Sequence, residues 1–228
     1  MPLLVLLNGI GDMPQVWQDQ VTSLPPGYKA VAPWVRGTRP GRNETFEMDA
    51  AADDVLALLN QHGVEQMDVC GLGLGAMVAL NTAIRSPENV EHLVLTACQL
   101  APPASALRAQ KLAIRLTPRA RLARMGVDKD RALATLTELA RTDLRDGLAN
   151  VTAKTLVIVG ARDSENRATA DELVAGIPGA RLEVVPGAGA KANVDAPGVF
   201  NDLLYGFLAD QPPGSDQPPG SDQRPASD

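Results

Sequence analysis

Short apolar runs alternate with amphipathic stretches along most of the chain, and few architectures accommodate that order. Leu3–Leu7 is a continuous apolar run closed by Asn8-Gly9-Ile10-Gly11, the pattern of a strand buried on both faces and stopped by a glycine-rich turn. Tyr28–Pro33 reads as a second short strand, with Val16, Trp17, Val21 and Leu24 at near-helical spacing between the two. A clearer helix follows over Asp49–Gln61, where Ala52, Val55, Leu56, Leu58 and Leu59 form an apolar stripe and Gly63 supplies the stop. Then come a strand at Met67–Cys70, a glycine-rich turn at Gly71–Gly75, a helix at Ala76–Arg85 and a strand at Val90–Ala97. The pattern resumes with a strand at Thr155–Val159, a helix near Ala168–Gly176, a strand at Arg181–Val185 and a last helix at Ala196–Ala209. Strands regularly separated by helices imply a parallel sheet covered on both faces.

Two stretches depart from this rhythm. From about residue 100 to 150 the chain is helical in character, punctuated by Pro102, Pro103, Pro118 and Gly126, and reads as an inserted helical segment. At the end a hexapeptide, Gln211–Asp216, recurs as Gln217–Asp222 and, degraded, as Gln223–Asp228. Pro, Gly, Ser and Asp have little to bury, so residues 210–228 are expected to be a disordered tail without a catalytic role, leaving residues 1–209 as a single domain.

Composition narrows the partners. A formal net charge of -6 argues against a broad electrostatic footprint for nucleic acid or an anionic membrane. The basic stretch Arg108, Lys111, Arg115, Arg119, Arg121 and Arg124 lacks interleaved aromatics and reads as a solvated helix face. A hydrophobic small molecule is the expected ligand, and the sequence leaves the oligomeric state open. The two cysteines, Cys70 and Cys98, lie in or just after apolar runs, as buried thiols do. No His or Cys cluster shows metal-ligand spacing, so no metal is expected. Gly71-Leu72-Gly73 is only superficially a dinucleotide fingerprint, because the next strand ends in Ala97-Cys98 rather than an acid, so no cofactor is expected either. The N-terminal apolar run is short and lacks a basic leader, which makes a cytoplasmic location the expectation.

The order of motifs from about Leu3 to Leu208 resembles the α/β-hydrolase superfamily, especially its short bacterial, actinobacterial type with a reduced helical cap. The resemblance implies that fold: a mostly parallel central sheet flanked by helices, with a small cap at about residues 100–150. Where that family commonly has His-Gly-x-Gly after the first strand, this chain has Asn8-Gly9-Ile10-Gly11, and the Ile10 amide is thereby implied as half of an oxyanion hole. The nucleophile elbow, Gly-x-Ser-x-Gly, corresponds to Gly71-Leu72-Gly73-Leu74-Gly75, so Gly73 stands at the serine position and Leu74 offers the second amide. Gly160-Ala161-Arg162-Asp163 resembles the acid loop, with Asp163 at the triad carboxylate. Gly187-Ala188-Gly189-Ala190 resembles Gly-x-Gly-His, with Ala190 at the histidine position. The only histidines, His62 at a helix end and His92 at a strand start, fall outside these motifs.

A degenerate triad of this kind implies that Ser-His-Asp hydrolysis is lost. Two readings follow. In one, the protein is a non-hydrolytic, cofactor-independent enzyme of lyase, isomerase or cyclase type, of the sort found in secondary metabolism. It would act on a hydrophobic small molecule through the Ile10 and Leu74 amides, with Asp163 as base. In the other it is an inactive pseudo-hydrolase that binds a ligand or protein partner, and Asp163 merely hydrogen-bonds within its loop. Asn8, Asp12, Trp34, Cys98, Lys191 and Asn193 are the further candidates for the pocket rim.

Overall fold

In the computed structural model, which describes residues 1–42, 44–124 and 128–209, the apolar runs assemble into one sheet of six strands. These are β1 (Leu3–Leu7), β2 (Lys29–Val31), β3 (Met67–Leu72), β4 (Val90–Thr96), β5 (Lys154–Gly160) and β6 (Arg181–Val185). Their order is β2-β1-β3-β4-β5-β6, and every neighbouring pair is parallel. Every residue of β1 and β3 is buried, whereas the edge strands β2 and β6 are partly exposed. That difference explains why the inner strands are mostly apolar: helices cover both of their faces. The repeat tail, residues 210–228, lies outside the described residues.

The first half supplies α1 (Gln18–Thr22), α2 (Met48–His62) and α3 (Leu74–Arg85). The insertion between β4 and β5 supplies α4 (Ala104–Leu116), α5 (Arg119–Arg124) and α6 (Lys129–Leu139). The last part supplies α7 (Arg167–Gly176), α8 (Ala192–Asp195) and α9 (Pro197–Leu208). Helix α2 buries Met48, Ala51, Ala52, Val55, Leu58 and Leu59, a stripe at helical spacing, and ends on Gly63 in the left-handed conformation. One core, on the face of α2, α3 and α7, also takes in Leu107, Leu136 and Leu139 from the insertion. The other packs Trp17, Phe200, Leu204 and Phe207 against the opposite face. Among the described residues no helix is long and apolar enough to cross a membrane.

The basic stretch lies on α4 and α5, where Arg108, Arg115, Arg119, Arg121 and Arg124 are exposed. Arg119 pairs through both guanidinium arms with Asp130. The insertion is tied back to the body by Arg131, whose Nη2 donates to the Gly37 carbonyl at 2.6 Å and the Arg39 carbonyl at 3.1 Å.

Strand order fixes where a ligand can bind. The chain passes outward from β1 to β2 on one side, then returns to lay β3, β4, β5 and β6 on the other side of β1. The loops after β1 and β3 therefore part above the sheet, and in open parallel sheets the crevice at such a switch point, beyond the strands' carboxyl ends, is where ligands sit.

Candidate active site

The turn from β3 to α3 is tighter than the sequence suggests. The strand continues through Leu72 and the helix starts at Leu74, leaving Gly73 alone between them rather than a five-residue turn. Tertiary packing makes this possible. A Cβ on Gly71 would lie 2.4 Å from the Ala76 Cα, and one on Gly75 would lie 2.1 Å from the Leu7 carbonyl oxygen. Both glycines let strand, helix and β1 approach to backbone contact. Gly73 itself has φ 57° and ψ -114°, a conformation that costs an L residue about 1–3 kcal/mol. It is held there by its N–H, which donates to the Thr96 carbonyl at 3.0 Å, and its own carbonyl accepts from Ala76 and Met77. Space in front of it is open: a Cβ would meet nothing nearer than the Gly9 Cα at 3.8 Å. Ala97, directly after β4, also takes positive φ, at 49°, so a second strained residue borders the elbow. Nothing in the local sequence signals it.

The loop after β1 stands beside this turn. Asn8 is fully buried, and its Nδ2 donates to the Gly9 carbonyl at 3.1 Å and to the Asp12 carbonyl at 2.8 Å, while the Asp12 N–H returns to the Gly9 carbonyl at 3.2 Å. Asn8 is thus a strut beneath the loop rather than a rim residue. Ile10 projects outward, 54% exposed, and its amide bonds no other backbone group among the described residues. The Leu74 amide, first in α3, has no intrahelical acceptor by construction. Two N–H donors without a hydrogen bond among the described residues therefore stand at the switch point, one in the loop after β1 and one at the start of α3.

Across the site, the loops after β5 and β6 are knitted together, the Arg162 N–H donating to the Ala188 carbonyl at 2.8 Å. Asp163 is buried, and both its oxygens turn back on its own loop. Oδ1 accepts from the Asn166 N–H at 3.2 Å and Nδ2 at 3.0 Å, and Oδ2 accepts from Nδ2 at 2.8 Å. Ala190 is exposed, and beside it the Lys191 Nζ reaches across to Asp12 Oδ1. The two residues are 179 positions apart in the chain, and no local pattern could have paired them.

The other candidates fall elsewhere. Asn193 is fully buried, donating to the Val16 carbonyl at 3.0 Å, and so braces α8 against the segment before α1. Cys98 lies in the core, where burial pushes its thiol up to about 12; Cys70 is buried and raised further, so neither is poised as a nucleophile. Trp34 is half-buried on the segment after β2. His62 ends α2, and His92 sits at the amino ends of the strands, its Nδ1 2.8 Å from Asp68 Oδ1. Asp68, Glu91 and His92 bring potential ligand atoms within 4.8 Å of one another there, away from the switch point. A groove of about 400 Å³ on the cap side, between Phe46, Leu133, Glu138 and Arg141, contains none of the elbow residues.

Known proteins share this framework. The family described as alpha/beta hydrolase fold matches residues 2–125. RutD of Cronobacter turicensis, provisionally named a carbamate hydrolase, is 27% identical over 247 positions, covering 93% of this chain and 92% of its own. A pimeloyl-[acyl-carrier protein] methyl ester esterase of Aromatoleum aromaticum is 42% identical over 96 residues, 41% of this chain and 36% of its own. Among solved structures, a hydrolase from Pseudomonas aeruginosa PA01 superposes with TM-score 0.77 at 26% identity, covering 91% of this chain and 89% of its own.

These relatives overturn two expectations drawn from the sequence, that of a non-hydrolytic lyase, isomerase or cyclase and that of an inactive pseudo-hydrolase. Proteins matched along nine-tenths of the chain are named for hydrolysis. Glycine and alanine at the serine and histidine positions do not by themselves abolish hydrolysis, which requires only that water reach a polarised carbonyl; a covalent intermediate is one route among several. With its parallel sheet order, its one-residue elbow and a family match across more than half its length, the chain belongs to the alpha/beta hydrolase fold family.

Proposed function

We propose that this protein hydrolyses a small acyl compound of the ester, lactone or carbamate class, with water attacking the carbonyl directly and no acyl-enzyme formed. One observation carries the reading: the elbow keeps its strained backbone and open front, with the Ile10 and Leu74 amides unengaged beside it. A carbonyl lodged over Gly73 would direct its oxygen at those amides, and each such donor is worth roughly 3–4 kcal/mol to a developing oxyanion.

Gly73 and Ala190 occupy the positions that carry serine and histidine in the resemblance, so nothing there can be acylated. Binding and an oxyanion hole without a nucleophile still accelerate acyl hydrolysis by roughly 10³–10⁴ over water. Such a site favours substrates with good leaving groups: aryl esters, enol lactones and activated carbamates. The insertion at about residues 100–150 would act as the cap over a hydrophobic small-molecule pocket.

The test is turnover of p-nitrophenyl acetate, an aryl carbamate and an enol lactone by the purified protein, with intact-mass analysis of acid-quenched samples. Hydrolysis above the buffer rate without an acyl adduct is expected. Buffer-level rates on all three probes, or an acylated chain, would overturn the proposal.

A further inference from the structure

We propose that Asp12 and Lys191 form the working pair of this site, with Asp12 as the general base that takes the proton of the attacking water and Lys191 as the positioning residue that holds it. The inference rests on the hydrolytic reading above and supplies the base that reading lacks.

Three features of the geometry support it. The Asp12 backbone is pinned by the Gly9 carbonyl and by Asn8, so its side chain leaves a fixed point. Its carboxylate is only 14% exposed against 51% for Lys191, and is therefore drawn in toward the elbow rather than out into water. Asp12 Oδ2 lies 3.0 Å from where a Cβ on Gly9 would sit, and the empty side-chain position of Gly73 faces that same glycine, 3.8 Å from its Cα. Carboxylate oxygen and vacated nucleophile volume thus border one residue. A water molecule in that volume occupies the place of a serine hydroxyl.

Lys191 engages Oδ1, and Oδ2 carries no hydrogen bond among the described residues. Of the other carboxylates on the facing loops, Asp163 is turned to Asn166, while Asp195, whose Oδ2 accepts the Gly189 N–H at 2.7 Å, and Glu165 are exposed to water. Arg162 beside Asp163 is exposed. Asp12 combines a mostly shielded carboxylate with an oxygen left to accept a proton.

The water oxygen bonds to the acyl carbon as its proton passes to Asp12 Oδ2, and the carbonyl π pair moves onto the oxygen facing the Ile10 and Leu74 amides. On collapse, the bond to the leaving oxygen or nitrogen breaks, and Asp12 returns its proton to that atom. The carboxylate is regenerated, and the products are the acid and the alcohol or amine.

The experiment compares wild type, Asp12→Asn, Lys191→Met and Lys191→Arg on p-nitrophenyl acetate across pH, with thermal melts of each. Asp12→Asn is expected to lower kcat by about a hundredfold or more with little change in KM, the usual worth of a positioned base. Lys191→Met is expected to lower kcat about tenfold or more with little change in KM, because the base is no longer held in place, and Lys191→Arg, which keeps a cation against Oδ1, should restore most of it. A purely structural ion pair would shift melting temperatures and leave the kcat of the folded variants unchanged. Activity that survives Asp12→Asn, or a kcat that Lys191→Met leaves unchanged, overturns the pair while leaving the hydrolytic reading standing. Silence of the wild type on every probe overturns both.

Discussion

Gly73 and Gly75 are two residues apart and are glycines for different reasons. Gly73 has room for a side chain but the wrong backbone, with φ 57° and its nearest neighbour 3.8 Å away; Gly75 has an ordinary helical backbone but no room, with the Leu7 carbonyl oxygen 2.1 Å from its would-be Cβ. Gly73→Ala should therefore fold, at a cost of about 1–3 kcal/mol for the positive-φ backbone. Gly75→Ala must displace the backbone of a central strand and should cost more than about 3 kcal/mol or yield no soluble protein. Thermal or urea unfolding of the two variants checks this, and equal losses would contradict the packing described for the elbow. The cysteines allow a second check. Burial holds Cys98 near 12 and Cys70 above that, so iodoacetamide at pH 8 should label neither in the native protein and both after denaturation. At this scale the sequence was informative where a motif is contiguous and silent where it is not. The family resemblance pointed to Gly73, Leu74 and Asp163 because its motifs are contiguous, but the Lys191–Asp12 contact and the left-handed Ala97 arise only from loops meeting above the sheet.

Among the elements, the four inner strands were legible because burial on both faces forces mostly apolar runs, and the partly exposed edge strands β2 and β6 because short apolar runs sit between turn signals. Two helices differ from the sequence expectation, each for its own reason. Helix α3 begins at Leu74 rather than Ala76 because Gly71 and Gly75 allow the strand and helix to abut, and the four residues of α8 escaped notice because so short a helix has no period to detect. The pairing of β3 with β4 carries a titratable contact that periodicity could not reveal. Burial works against the protonated His92 imidazole, but the hydrogen bond and charge of Asp68, helped by Glu91 and opposed by Lys154, outweigh it and raise its pKa above 6.5. A group raised in the folded state contributes its full stabilisation below the unfolded value and loses it as pH rises through the folded one. The stability difference between wild type and His92→Gln should accordingly shrink between pH 6 and pH 9. A difference that stays constant in urea titrations at both values would show that the pair is not linked to folding.

Across the whole molecule, burial is distributed unevenly, and the unevenness bears on how a substrate reaches the elbow. The sheet is sealed: β1 and β3 are buried along their full length, and helices pack on both faces. The insertion is different. Of the 13 residues of α4 only Leu107 is buried, while Leu112 and Leu116 are 58% and 75% exposed. Its attachment relies on Leu136 and Leu139 of α6 and on Arg131 reaching the Gly37 and Arg39 carbonyls. A helix with one buried anchor has little to lose by opening, because local stability follows the apolar area and backbone bonds that opening exposes. A cap hinged this way could admit a small acyl compound without disturbing the strands that hold Gly73 and Ile10. Hydrogen exchange followed by mass spectrometry should therefore show α4 amides exchanging within about minutes while those of β1, β3 and β4 persist for hours. Arg131→Ala, which removes both bonds to the Gly37–Arg39 segment, should speed exchange in α6 and leave the sheet unchanged. Equal protection of α4 and β3 would mean that the insertion opens only with global unfolding, and substrate entry would then have to occur through the gap between the loops after β1 and β6, past Asp12 and Lys191.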